Sequence, residues 1–260
     1  MTYDLAFSIG AACHCSICLR TADLQLASFP FDWLTRGPVA LRAKIIASGF
    51  AGWIAKEDFT YLGRNEVNGL GRYRNEKTGI VYLHDFSDGP VEDSYDAVRE
   101  KYARRTARLL RLLGKSRRVL ALYVDSSSGR EGSHASADEL SAARRTLAAA
   151  FPGAAFDVVH FRHRPGVAPE AAVIERPCEG IVEVSFDYYD PVTNVRFHDV
   201  AKILRGVLGV RVRDYRTRKE RKAYERRRLE KKYGKLSGLA LAKARFWAVL
   251  AKLAAPFTRT

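Results

Sequence analysis

The chain has 260 residues, 47% of them hydrophobic, and a formal net charge of +15. That is enough apolar material for one large domain or two small ones, and no window reaches about 18 uninterrupted apolar residues, so no membrane span is expected. The opening MTYDLAFSIGAACHC places Asp4 where a secretory signal would be basic, and three of the four cysteines crowd at Cys13, Cys15 and Cys18 with Cys178 apart; both features point to a cytoplasmic protein with reduced thiols rather than a disulfide framework.

Asp4–Gly10 (DLAFSIG) predicts a buried strand that ends in a glycine turn, and Cys13–Leu24 a helix. Ser28–Trp33 (SFPFDW) is interrupted by Pro30 and reads as a loop. Pro38 opens a second helix over Val39–Ser48, since proline is well placed in a first helical turn. Leu62–Gly79 is polar and glycine-rich and reads as a long connection. Ile80–Leu83 is a short strand ending at His84-Asp85-Phe86.

Ser94–Leu113 is the clearest helix. Val98, Tyr102, Ala103, Ala107, Leu109, Leu110 and Leu113 form an apolar stripe, and Gly114 ends it. Arg118–Val124 is a strand, and Ala137–Phe151 is a helix with Asp138 and Glu139 in its first turn, where the helix dipole favours them. Phe156–Phe161 and Ile181–Phe186 are further strands, and Val195–Val207 is a helix. The order β-α-α-β-α-β-α-β-β-α predicts an α/β fold. Its mostly parallel sheet would be flanked by helices in a three-layer, Rossmann-like layout over residues 1–210.

Polar residues gather just after the predicted strands: Ser8 and Cys13, then His84 and Asp85, then Asp125, then His160 and His163. Open α/β sheets collect ligand sites at the carboxyl ends of their strands, so these residues could meet in one strand-end pocket. Cys13 would start a helix, where the dipole favours a thiolate and lowers its pKa. A nucleophilic cysteine also needs a base, and His84 is the candidate. Asp125, Asp32 and Asp85 are alternatives for a third group that orients the imidazole. Against this stands the plain reading that Cys13 is a small residue under a tight turn and His84 a satisfied histidine.

The run from Cys13 to Cys18 has the spacing C-x-C-x-x-C and no second cluster. Residues two apart on a helix point about 200° apart, so no metal is expected. Lys101, Arg104, Arg105 and Arg108 recur at i, i+3, i+4 and i+7 and would form one basic face, fit for a phosphate or carboxylate or simply solvated. The loop Ser126–Ser133 lacks the Lys-Ser/Thr ending of a phosphate-binding loop, no G-x-G-x-x-G follows the first strand, and no cofactor is expected.

Charge is concentrated at the end. Residues 211–260 hold 17 Lys plus Arg against 4 Asp plus Glu, whereas the preceding 210 hold 27 against 25. Arg211–Lys235 reads as a long exposed basic helix, and Leu239–Phe257 as an amphipathic, tryptophan-containing one. Residues 211–257 would suit an anionic membrane surface at its inner face. Nucleic-acid backbone, a protein partner and simple solvation are the alternatives.

In order along the chain, S-I-G-A-A-C (Ser8–Cys13), S-F-P-F-D-W (Ser28–Trp33), H-D-F (His84–Phe86) and K-Y-A-R-R-T-A-R (Lys101–Arg108) resemble the motifs of a bacterial domain family of unknown function described as papain-like cysteine peptidases. The resemblance spans about residues 4 to 205 and leaves out the tail. It implies a thiol hydrolase with Cys13 as nucleophile and His84 as general base. It also implies a cysteine on a helix and a histidine on an antiparallel sheet. Binding positions would fall within the same motifs, at Ser8, Gly10, Asp32, Trp33, Lys101, Arg104, Arg105 and Arg108. A peptide, amide or acyl substrate is expected. The rival expectations are a glycan- or phosphate-handling transferase at the membrane, and a non-catalytic binding module.

Overall fold

The computed structural model describes residues 1–126, 134–214, 216, 221–226 and 230. In chain order the elements are β1 (Thr2–Tyr3), β2 (Leu5–Gly10), α1 (His14–Thr21), β3 (Leu34–Thr35), α2 (Val39–Ala47), β4 (Phe59–Arg64), β5 (Gly71–Asn75), β6 (Val81–Phe86), α3 (Tyr95–Leu113), β7 (Arg118–Val124), α4 (Ala137–Ala150), β8 (Ala155–His163), β9 (Val173–Cys178), β10 (Ile181–Phe186), α5 (Phe197–Lys202) and β11 (Arg211–Val212). The chain divides into two compact units, Met1–Asp214 and Tyr215–Thr260.

The first unit is mixed α/β. Its larger sheet has the order β2-β7-β8-β10-β9. The first four strands run parallel, and β9 closes the edge antiparallel to β10. Strands β2 and β7 are apolar along nearly their whole length and almost fully buried, as a strand covered on both faces must be. From one face Leu120, Leu122 and Val124 meet Cys15, Cys18 and Leu19 of α1 and Val200 and Ala201 of α5 in one core. Helices α2 and α4 pack on each other, α2 also against β2 and α4 against β8 and β10.

The polar stretch expected to be a connection holds the end of β4 and all of β5. Strands β3-β6-β5-β4 form a second, wholly antiparallel sheet. Asn65 and Asn75 turn its two hairpins: the Asn65 side chain accepts from Val67 N–H at 3.1 Å, and that of Asn75 from Thr78 N–H at 3.0 Å. Strand β4 has no fully buried residue, so its sequence carries little apolar alternation. His84 and Asp85 therefore lie in β6 of this sheet, and not at the end of a strand of the parallel one.

Other expectations shift at the margins. Helix α1 stops at Thr21, and the last helix is α5 followed by a wider π turn over Ile203–Val207. Strand β9 is not among the predicted strands; Pro177 lies within it, and proline is tolerated on a sheet edge. Arg211 and Val212 are not helical: they pair in parallel with Thr2 and Tyr3. In the second unit residues 221–226 are helical, Arg226 pairs with Glu230 at 2.7 Å, and Arg216 stacks on the Tyr224 ring at 4.4 Å. The Leu239–Phe257 helix, most of the basic run from 215 to 235, and all but Ser126 of the Ser126–Ser133 loop lie outside the described residues. Among the described residues no helix is long and apolar enough to cross a membrane.

Candidate active site

Cys13 is the N-cap residue of α1, three residues after the end of β2 at Gly10. It is half-buried, whereas Cys15 and Cys18 are fully buried. Burial pushes the Cys13 thiol above its ordinary value, against the pull of the backbone N–H groups of Cys13 and His14. The helix start was expected to lower it; desolvation outweighs that. Burial likewise pushes the Cys15 thiol up to about 11, and that of Cys18 well up. Gly10 is required at the end of β2, because a Cβ there would lie 2.8 Å from the Tyr123 ring.

Cys13, Ser16 and Arg20 recur at i, i+3 and i+7, so they share one face of α1. That face meets the Ser28–Trp33 segment. The Ser16 hydroxyl lies 2.8 Å from the Asp32 carbonyl and 3.0 Å from that of Cys13, while the Arg20 guanidinium sits 5.1 Å from the Trp33 ring centroid. Trp33 in turn meets His84 edge to face, at 5.7 Å between rings. His84 is exposed on β6, and Asn68 Nδ2 lies 3.1 Å from its Nδ1. The Asn68 amide is oriented by the backbone: its Nδ2 donates to Leu83 O at 2.9 Å and its Oδ1 accepts from Leu70 N–H at 3.0 Å. With Nδ2 facing Nδ1, the ring hydrogen belongs on Nε2.

Residues 4–164 match the family described as "Putative papain-like cysteine peptidase (DUF1796)". The chain belongs to this family. No curated protein matches it. The matched stretch runs from β2 to the end of β8, and so holds Cys13, Asn68, His84 and Asp125.

None of the three aspartates expected to orient His84 touches it. Asp85 follows His84 in a strand and points to the opposite face, where it binds Lys101 Nζ at 2.6 Å and the Tyr102 hydroxyl at 2.9 Å. Asp32 is fully buried and holds the Ser28–Trp33 segment together. Its Oδ2 accepts from Phe29 N–H (2.9 Å), Gln25 Nε2 (2.5 Å) and Arg20 Nη2 (2.9 Å). Burial pushes its carboxyl up to about 6 against the pull of Arg20. Asp125 lies 3.0 Å from His160 Nε2 and 3.2 Å from His134 Nδ1. Glu183 holds the other His160 nitrogen at 3.2 Å, so neither nitrogen of that ring is free to serve a thiol. His163 pairs with Asp187 at 3.0 Å.

The basic residues of α3 are engaged one by one rather than presented together. Lys101 is on Asp85, Arg104 pairs with Glu100, Arg105 stacks on Tyr102 at 5.3 Å, and Arg108 Nη1 donates to Ser28 O at 2.8 Å. Ser8 is fully buried inside β2. A cavity of about 520 Å³ opens beside the ends of β7 and β8, lined by Asp125, His134, Ser136, Glu139, Arg162 and Glu183 among others. No group of three or more His, Cys, Asp or Glu among the described residues could hold a metal ion. The sequence reading missed Asn68, whose Asn-Gly pair with Gly69 was a turn signal, and Arg20, whose role depends wholly on what α1 packs against.

Proposed function

We propose that this protein is a thiol-dependent hydrolase or acyl-transfer enzyme acting on a peptide, amide or acyl substrate, with Cys13 as nucleophile and His84 as proton carrier. The observation that carries the proposal is His84 on an antiparallel strand. It is held at Nδ1 by Asn68 and packed on the same Trp33 ring that meets the Cys13 face of α1. Asn68, not an aspartate, is the orienting group. At rest burial keeps the thiol protonated, and the Asn68 amide faces His84 Nδ1 with its Nδ2. For catalysis the Asn68 amide turns and gives up its bonds to Leu83 O and Leu70 N–H; the ring exchanges its Nε2 hydrogen through solvent for one on Nδ1, which donates to Asn68 Oδ1, and Nε2 then takes the thiol proton. The sulfur then attacks the acyl carbon, and the backbone N–H groups of Cys13 and His14 receive the oxyanion. His84 returns the proton to the leaving group, and water or an acceptor releases the acyl chain.

Alkylation by a mild electrophile at pH 6 to 7 tests this. Cys13 is expected to react faster than Cys178, and more slowly in His84→Ala. Equal rates for the two thiols, together with no slowing in His84→Ala, would refute it.

Two further readings belong to the same proposal. The larger sheet is the middle of three layers in a Rossmann-like arrangement. Packing of α1 and α5 against Leu120, Leu122 and Val124 supports this, with Tyr123 directed to the other side, toward Arg42 of α2. Residues 211–257 tether the protein to an anionic membrane surface at its cytoplasmic face, a reading supported by their charge. Salt-sensitive sedimentation with anionic vesicles, lost on truncation after Asp214, is the expected result; unchanged binding would remove the tether.

A second reading rests on the cavity beside β7 and β8. Its charged lining suits a polar ligand, as a glycan-handling transferase or a binding module would need. Activity that survives Cys13→Ser and disappears in Arg162→Ala would favour it over the hydrolase.

A further inference from the structure

The interior contains a guanidinium that no carboxylate among the described residues neutralises. Arg42, on α2, is 0% exposed. Its Nε and Nη2 donate to the carbonyls of Gly37 (3.3 Å), Leu34 (3.5 Å) and Arg36, and its guanidinium lies 5.1 Å from the Phe31 ring centroid. Its Nη1 has no partner. The Tyr123 and Tyr82 hydroxyls, both buried and within electrostatic reach of Arg42, have none either. Arg42 and Tyr123 converge on Gly10, whose Cβ position lies 2.8 Å from Tyr123 Cε2 and 3.7 Å from Arg42 Cδ.

Burial holds both phenols in their protonated form, so each presents a hydrogen. The group is thus a charged donor beside two neutral hydroxyls, which have hydrogens to give and carry no negative charge to match the guanidinium. Buried polar atoms are satisfied as a rule, and an isolated buried charge is costly. Water could accept from the donors, but it would leave the charge uncompensated. An anion does both.

We propose that a small inorganic anion of halide size is bound at the junction of β2, α2 and β7, accepting from Arg42 Nη1 and from the Tyr123 hydroxyl. The near-zero exposure of Arg42 and Tyr123 restricts the occupant to a small, compact ion. Its role is to tie α2 to the end of β2, the strand that leads into the Cys13 turn.

The test is the thermal stability of the whole protein in sodium chloride or bromide against sodium gluconate at fixed ionic strength. A saturable, halide-specific rise in melting temperature is expected. Tyr123→Phe removes one donor and should still fold. It is expected to raise the half-saturating halide concentration about fivefold, the equivalent of one hydrogen bond; Arg42→Met, if it folds, should abolish the dependence. Crystals grown in bromide are expected to show an anomalous peak between Arg42 and Tyr123. Identical melting curves in halide and gluconate, or a halide response unchanged in Tyr123→Phe, would overturn the proposal, leaving buried water as the occupant or the ion elsewhere.

Discussion

Asp32 should make the protein less stable as the pH rises from about 4 to about 6. Its carboxyl is pushed from the ordinary 3.8 up to about 6 by complete burial, with Arg20 and Arg105 pulling the other way. A folded-state value above the unfolded one means that the native state binds the proton more tightly. The stability contributed is therefore fully present below about pH 4 and lost as the pH climbs through about 6. A shift of roughly two units corresponds to about 3 kcal/mol. Depressed carboxyls such as Asp4, Asp187 and Asp190 act in the opposite sense, so the raw pH profile mixes both. The comparison with Asp32→Asn isolates the effect, since asparagine keeps the shape and one acceptor oxygen but does not titrate. Urea unfolding of both proteins at pH 4 and pH 7 should show the variant gaining about 3 kcal/mol on the parent between the two. A stability difference that is the same at both pH values would refute the argument, and with it the conclusion that desolvation dominates at this carboxylate.

Asp85→Ala should cost roughly 3 kcal/mol in urea unfolding, because it leaves Lys101 and the Tyr102 hydroxyl without their shared partner; an unaltered midpoint would contradict that. Gly10→Ala should lower the melting temperature by roughly 6 °C, from an overpacking cost of about 2 kcal/mol against the Tyr123 ring. Truncation after Asp214 should leave the melting temperature of the first unit unchanged. Truncation after Gly209 removes buried Val210 and the bonds Arg211 N–H to Met1 O and Arg213 N–H to Tyr3 O. It should cost about 3 kcal/mol, read as a lower melting midpoint.

The buried strands and the amphipathic helices were legible in the chain because their apolar periodicity is local. DLAFSIG and RVLALYV are continuous apolar runs, and the stripe from Val98 to Leu113 repeats at helical spacing. The same holds for Cys13 at a strand-to-helix junction and for the family motifs, which are contiguous words. The second sheet was not legible, because β4 has no fully buried residue, β5 buries only Gly71, Tyr73 and Asn75, both are rich in Gly and Arg, and they gain their pairing only from each other and from β6.

The partners of the charged residues were decided only by the tertiary structure. Asp85 neighbours His84 in sequence, yet strand alternation turns it toward Lys101. Asp125 follows a strand like the others, yet the adjacent strand supplies His160 and, beyond it, Glu183. Asn68, sixteen residues from His84, reaches it because a hairpin folds back. A residue's own identity sets what it can bond to; which groups stand within about 3 Å of it depends on chain segments far away in sequence, and local pattern carries no record of them.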